Sequence, residues 1–522
     1  MKSAEFSFRT REKFLSSLEG SEWDLCIIGG GISGAACARD AALRGLKVLL
    51  LESKDFSSGT SSGSSKLIHG GIRYLEHKAF NLVFHAIQER ELLKKLYFPF
   101  VQDIDFVFPT YKGRYPSKWL LRLGLSLYDS FSFFKKSHQS ISKEEVKRRF
   151  PYLKSENLTG ALIYQDSFTE DYRLVIELIK SAIHEGATCV SRLGFVSGAA
   201  QNDGFLLEAH DEIKNETYRF TAKKVLNCAG PFSDQIKKML NLPPRLHLTQ
   251  GVHFIFPREK LPLDRAFVLS DPEKKRILFA IPWENISYLG TTDTDIENPD
   301  ASQATRNDLE YVLGVARNYF QLPLDEKDVI QSWAAVRPLI QPESSDSNAD
   351  ISREHQLEEN PSGFFHLLGG KLTSHRLMAQ EAIDSICKSL EISYPSLTDE
   401  KYLQGDLIDN STPDRLEKTY GVYASDVLEL DSQNSLHQKK ISRSLPHLFS
   451  EILYSIYYEM ALEPLDFLRR RSSVYYESNS QSIAEVVARV FQKELGWSEA
   501  EFDSIWQKTK VDYERDFEFS KK

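Results

Sequence analysis

Asp24-Leu25-Cys26-Ile27-Ile28-Gly29-Gly30-Gly31-Ile32-Ser33-Gly34 decides the fold of this chain. A short apolar strand runs into a glycine turn, and an alanine-rich helix, a second strand over Lys47 to Leu51 and then Glu52 follow it. That order is a dinucleotide-binding βαβ unit. Gly29 permits the tight turn, Gly31 lets backbone N–H groups approach a pyrophosphate, Gly34 brings helix and strand close, and the helix N-terminus favours phosphate charge. Glu52 ends the second strand, where a carboxylate accepts hydrogen bonds from both ribose hydroxyls and repels a ribose phosphate, so plain NADP fits poorly. Asp24, Gly29, Gly30, Gly31, Ser33, Gly34 and Glu52 are the expected contacts to the nucleotide half of the cofactor.

The next segment, Ser57 to Tyr74, is dense in serine and glycine and carries Lys66, His69 and Arg73 within one short span. An extended cofactor continues in that direction, which places these side chains near its reactive ring.

At 522 residues the chain exceeds the roughly 250 to 300 residues over which a single core usually grows, so two or three domains are expected. Its 41% apolar and 27% charged content is that of an ordinary globular protein. Five cysteines, of which Cys26, Cys37, Cys189 and Cys228 stand in apolar surroundings, do not form a disulfide framework and fit a reducing cytosol. No Cys/His grouping has zinc or iron–sulfur spacing, so no metal is expected and the chemistry falls to an organic cofactor. A net charge of −9 argues against nucleic acid as a partner. The first 22 residues lack a secretory apolar core and read as an amphipathic lead-in. The run Trp119 to Phe134 is broken by Arg122, Asp129 and serines, so no spanning helix is expected.

Several motifs together resemble the FAD-dependent glycerol-3-phosphate dehydrogenases, the aerobic, quinone-linked family. They are Gly29 to Gly34 with Ala38-Arg39-Asp40-Ala41-Ala42-Leu43-Arg44-Gly45, Thr60-Ser61-Ser62, and Ser65-Lys66-Leu67-Ile68-His69-Gly70-Gly71-Ile72-Arg73-Tyr74. Downstream come Asn227-Cys228-Ala229-Gly230-Pro231, Gly290-Thr291-Thr292-Asp293, Val336-Arg337-Pro338-Leu339, Gly369-Gly370-Lys371-Leu372-Thr373, Tyr458-Glu459-Met460 and Phe467-Leu468-Arg469-Arg470-Arg471. The resemblance implies FAD as cofactor, touched by Thr60, Ser61, Ser62, Ser65, Lys66, Leu67, His69, Gly70, Ala229, Gly230, Gly370, Lys371, Leu372 and Thr373. It implies glycerol 3-phosphate as substrate, held by Arg73, Tyr74, Arg337, Arg353 and Lys371, and membrane quinone as electron acceptor. Peripheral attachment to the cytoplasmic face of the cell membrane goes with that. For it, Tyr111 to Lys136 interleaves Lys112, Arg114, Lys118, Arg122, Lys135 and Lys136 with Tyr111, Tyr115, Trp119, Phe131, Phe133 and Phe134, a mix suited to anionic lipid. A homodimer is among the expected assemblies.

Alternating strand and helix signals predict an α/β protein: a Rossmann-like FAD-binding domain from residues 23–78, 161–240 and 336–395, with an inserted antiparallel-sheet substrate domain from 79–160 and 241–335. The switch to helical spacing at Ile452, Ile456 and Met460 predicts an all-helical C-terminal domain over 400–522.

Oxidising a secondary alcohol needs a base, a hydride acceptor and a clamp for the substrate's anionic end. His69 and His253 are the two candidate bases, since an imidazole titrates near neutrality. Arg337 is the leading clamp, its planar fork matching phosphate oxygens. Lys371, on the glycine turn before a helix beginning near Thr373, is placed to stabilise reduced flavin, while Thr373 and Ser374 suit helix caps. His69, His253, Arg337 and Lys371 are thus the expected catalytic set. Gln250 stands where the family has a basic residue. That change favours a non-catalytic FAD-binding subunit as one alternative; an oxidase that makes hydrogen peroxide on the same scaffold is the other.

Overall fold

The computed structural model describes residues 4–71, 80–114, 116–131, 137–201, 203–274, 276–341, 355–404, 413–432 and 439–516. Arg73, Tyr74, Arg353, Lys135 and Lys136 lie outside them, and with them the site and lipid contacts expected there.

Strand Glu22–Ile28 pairs in parallel with Val48–Leu51 on one side and Glu216–Asn227 on the other. Parallel pairing extends to Thr188–Val190 at one end and Phe364–Gly369 at the other. The strands Val48–Leu51 and Cys26 to Ile28 are buried throughout, as an apolar run covered on both faces requires. Helix Ile32–Leu43 lies on one face with Asp171–His184 and His375–Ser389. Its alanines leave no bulk between helix and sheet: Ala35, Ala38 and Ala41 have no exposed surface. Antiparallel strands Leu193–Gln201 and Gly204–Asp211 enlarge the same sheet.

A second, ten-stranded sheet carries the substrate side. Its boundaries differ from the expected ones. Leu158–Phe168 pairs antiparallel with Gln102–Tyr111 along its length, so residues 161–168 belong to this sheet. Gln331–Ile340 pairs with Leu246–Pro257, so residues 336–340 also belong to it. In both cases pairing partners distant in sequence determine the sheet, and hydrophobic periodicity does not report partners. The expected helical C-terminal region is seen in seven helices from Arg415–Tyr420 to Glu499–Arg515 among the described residues. Its core is continuous with one face of the second sheet, where Ile452, Phe467, Tyr475 and Phe491 join Ile281, Trp283 and Trp333.

The lead-in helix Phe8–Ser16 is docked rather than free: Arg11, 1% exposed, donates to both carboxylate oxygens of Asp211 at 2.9 and 3.1 Å. Helix Lys118–Phe131 turns Leu121, Leu125 and Tyr128 inward and leaves Trp119 and Leu123 at 72% and 56% exposure, with Phe84 exposed alongside. Lys118 reaches back to the carbonyls of Ile141 and Thr159. No helix among the described residues is long and apolar enough to cross a membrane.

Candidate active site

The glycine turn leaves no room for side chains. Gly29 has φ +109°, and a Cβ on Gly34 would stand 1.9 Å from the Gly29 carbonyl oxygen. Gly31, as N-cap of Ile32–Leu43, offers no capping side chain, so the helix start is open to an anion; Ser61 Oγ accepts from Ile32 N–H at 2.9 Å. Glu52 accepts from the Gly30 and Lys54 N–H groups at 2.7 and 2.8 Å, and burial, with help from Asp55, raises its pKa. A cavity of about 390 Å³ runs past Gly29, Gly31, Ser33, Glu52, Thr60, Ser61, Ala229 and Gly230.

A second chamber of about 310 Å³ continues from it, and the two share Thr60, Ser64, Pro338, Gly370, Lys371 and Leu372 as walls. Together they form one groove from the Glu52 carboxylate to a cationic end, the shape a bound dinucleotide requires. The far chamber brings His69, Asp166, Arg276, Arg337 and Lys371 around an apolar wall of Phe106, Tyr164, Ile277 and Phe279. Arg337 is fixed by three donations, to the Asp293 carboxylate at 3.0 Å, Thr291 Oγ1 at 2.9 Å and the Thr292 carbonyl at 3.1 Å. Gly369 and Gly370 have φ +68° and +97°, which turns the chain sharply and sets Lys371 on the wall common to both chambers. Thr373 binds the backbone of His69 on both sides, accepting from its N–H at 3.1 Å and donating to its carbonyl at 3.2 Å. Burial lowers the pKa of His69, with Lys371 and Arg90 adding to it and Asp166 opposing. The neutral ring, able to accept a proton, is the form present at pH 7.

Several expected residues stand elsewhere. Asp24 sits at the opposite end of its strand from Gly29, where its carboxylate accepts from Lys47 N–H and Lys223 Nζ, a structural tie across strand starts. Lys66 is wholly buried in an ion pair with Asp171 at 2.7 Å, its ammonium 4.9 to 5.5 Å from the rings of Tyr172, Trp283, Trp333 and Tyr476. That cage holds the segment in place and keeps Lys66 off the groove. His253 is 2% exposed, stacked on Trp333 at 4.7 Å and hydrogen-bonded to Ser65 Oγ at 2.8 Å. Burial, with Arg337 and Lys66, holds its pKa well below the usual range, and unlike His69 it forms no part of the chamber wall. Ser65 and Leu67 do line the chamber, whereas Ser62 closes a turn onto the Gly59 carbonyl and the Gly70 N–H points to Tyr128. Ser374 stands at the N-cap of the following helix but makes no side-chain cap hydrogen bond, and the 3-10 turn over Leu372–Ser374 leaves Thr373 to His69. Gln250 is buried and bonded to Gln303 and Ser302, away from the chamber, so its lost charge is not lost from the site.

Asp166, Arg276 and Asp293 were not among the expected site residues. Gly290-Thr291-Thr292-Asp293 was visible as a motif without a role; Asp166 and Arg276 carry no local signal, because strand pairing brings them here.

A family model described as FAD dependent oxidoreductase matches residues 24–384, and one described as the C-terminal domain of alpha-glycerophosphate oxidase matches 365–502. The chain is 34% identical over 504 residues to the aerobic glycerol-3-phosphate dehydrogenase of Staphylococcus aureus (strain USA300), with 89% of each chain covered. Its fold superposes on the Bacillus halodurans glycerol-3-phosphate dehydrogenase, a structure complexed with FAD, with a TM-score of 0.81 at 27% identity, covering 98% of this chain and 99% of that one. The Mycoplasma pneumoniae L-alpha-glycerophosphate oxidase shares the fold at a TM-score of 0.57 and 18% identity over 75% of this chain and all of that one. With a groove shaped for a dinucleotide, a cationic chamber at its end and these likenesses along most of its length, the chain belongs to the FAD-dependent glycerol-3-phosphate dehydrogenase family.

Proposed function

We propose that the protein oxidises the C2 hydroxyl of sn-glycerol 3-phosphate to the ketone of dihydroxyacetone phosphate and that the electrons pass to a membrane quinone. The observation that carries this is the single chamber in which His69 faces Arg276, Arg337 and Lys371 at the end of the cofactor groove. FAD, bound along the groove, supplies the hydride acceptor. Arg337, already immobilised by Asp293, Thr291 and Thr292, meets the phosphate without further ordering, and Arg276 adds a second positive charge. His69, neutral at pH 7, takes the hydroxyl proton. The apolar wall of Phe106, Ile277 and Phe279 limits water around the reacting carbon. The exposed Trp119 and Leu123, backed by Phe84, support attachment to a bilayer, where the quinone resides.

Oxidase activity is the second reading, favoured by the match of residues 365–502 to a domain described for alpha-glycerophosphate oxidase. Air-saturated protein given sn-glycerol 3-phosphate with and without quinone-loaded vesicles separates them. Quinone reduction with little peroxide is expected; peroxide released one for one with substrate, with quinone left oxidised, makes the protein an oxidase.

A further inference from the structure

Asp166 reaches the chamber wall beside His69 on strand Leu158–Phe168, 3% exposed. One of its oxygens, Oδ1, accepts from the Tyr128 hydroxyl at 2.5 Å, from Arg90 at 2.6 Å and from the Gly70 N–H at 3.3 Å. Tyr128 Oη itself accepts from Gly70 N–H at 2.9 Å and from Arg90 at 3.1 Å. The packing is close, since a Cβ on Gly70 would stand 2.5 Å from Tyr128 Oη. The His69–Gly70 peptide is therefore held from both ends, by Thr373 at the His69 backbone and by this three-residue cluster at the Gly70 N–H.

We propose that Asp166, held by Arg90 and Tyr128, is a positioning residue that fixes the His69–Gly70 peptide and supports the positive charge His69 gains when it takes the substrate proton. The inference rests on the oxidation reading above. In the step the C2 oxygen gives its proton to the His69 ring, the C2 hydrogen leaves with its electron pair to FAD, and Asp166 exchanges no proton. The charges around His69 come from five elements. Asp166 on its strand favours the imidazolium; Arg90 on helix Phe80–Leu96, Lys371 on the glycine turn and Arg276 and Arg337 across the chamber are cations that oppose it. The hydroxyls of Tyr128 and Tyr164 are neutral there, burial pushing both well above their ordinary range with Asp166 adding to it. Asp293, the other carboxylate of the chamber wall, is paired with Arg337, so without Asp166 the charges acting most on the ring are Lys371 and Arg90.

The test is the pH dependence of anaerobic flavin bleaching by sn-glycerol 3-phosphate in the holoenzyme. Asp166→Asn should slow bleaching roughly 10- to 100-fold at saturating substrate and move the acid limb of the profile to lower pH, because the imidazolium loses its anion. Tyr128→Phe keeps the Arg90–Asp166 pair but removes a hydroxyl that shares the carboxylate's charge, so its limb should move to higher pH, with less than about tenfold loss of rate. Opposite shifts do not arise from a common loosening of the site. Limbs that stay put, or move the same way in both variants, overturn the proposal while wild type still bleaches. A wild type that does not bleach overturns the oxidation reading and this inference with it. If Asp166→Asn does not fold, the direction of the Tyr128→Phe limb decides.

Discussion

A methyl group on Gly34 would sit 1.9 Å from the Gly29 carbonyl, so this position bears on cofactor binding more sharply than any other in the turn. Gly34→Ala should force helix and strand apart, and the purified variant should lose its yellow colour, read as the ratio of flavin to protein absorbance; full loading would contradict the account. In the far chamber Arg337 is the side chain whose removal should hurt most. A charge-assisted contact to phosphate is worth about 1.5 to 3 kcal/mol, so Arg337→Ala should lower kcat/KM for glycerol 3-phosphate by one to two orders of magnitude. Kinetics equal to wild type would make Arg337 a structural partner of Asp293. What could be read here from sequence divides by range. Gly29, Gly31, Gly34 and Glu52 act through local geometry of one βαβ unit, and their spacing announces them. His69 and Lys371 were legible from their motifs. Lys66 and His253 sat in equally good motifs, yet they face into aromatic surroundings supplied by residues distant in sequence, which no local pattern encodes.

The helix Lys118–Phe131 shows the same limit at the level of an element. Composition marked it as amphipathic, but not that Lys118 folds back onto Ile141 and Thr159 while Trp119 and Leu123 face out. Attachment through this face should accordingly depend more on apolar contact than on charge. Replacing Trp119, Leu120 and Leu123 together by Ser should shift the protein from vesicle pellet to supernatant, while activity with a soluble dye is kept; salt should release the wild type only in part, since each exposed Lys or Arg near an anionic surface adds about 1 kcal/mol. Equal pelleting of both proteins would assign attachment elsewhere. In the C-terminal region, helix Phe449–Tyr458 was legible from its spacing, but the buried cluster at its start was not. Burial opposes charge on His447, yet Glu451 and Glu477 outweigh it and raise its pKa to about 9. A folded pKa above the unfolded value of about 6.5 contributes stability that is complete below that value and is lost as pH rises through about 9, roughly 3 kcal/mol in all. Thermal midpoints should fall from pH 7 to 10, and His447→Gln should be less stable at pH 7 with a flatter decline. Identical slopes in the two proteins would exclude His447 as the cause.

Across the whole molecule, the order of domains was legible and their seams were not. The two expected boundaries at 161 and 336 fall inside strands whose partners lie in the substrate sheet, so the chain stays in that sheet through Phe168 and through Ile340, past both expected boundaries. The C-terminal helices are joined to both sheets. Arg471 donates to both oxygens of Asp55 at 2.9 and 3.0 Å, directly after the cofactor's βαβ unit, while Tyr476 closes the cage around Lys66 that anchors the segment leading to His69. Groove, chamber and helical region thus form one arrangement, and under the proposed function its fixed groups at the end of the cofactor groove meet the substrate's phosphate and hydroxyl. The direct measurement is anaerobic titration of the purified yellow protein with sn-glycerol 3-phosphate, followed by flavin absorbance, with glycerol as control. The account predicts complete bleaching by the phosphorylated alcohol and almost none by glycerol at the same concentration; flavin that stays oxidised with glycerol 3-phosphate, or that glycerol bleaches equally well, would contradict it.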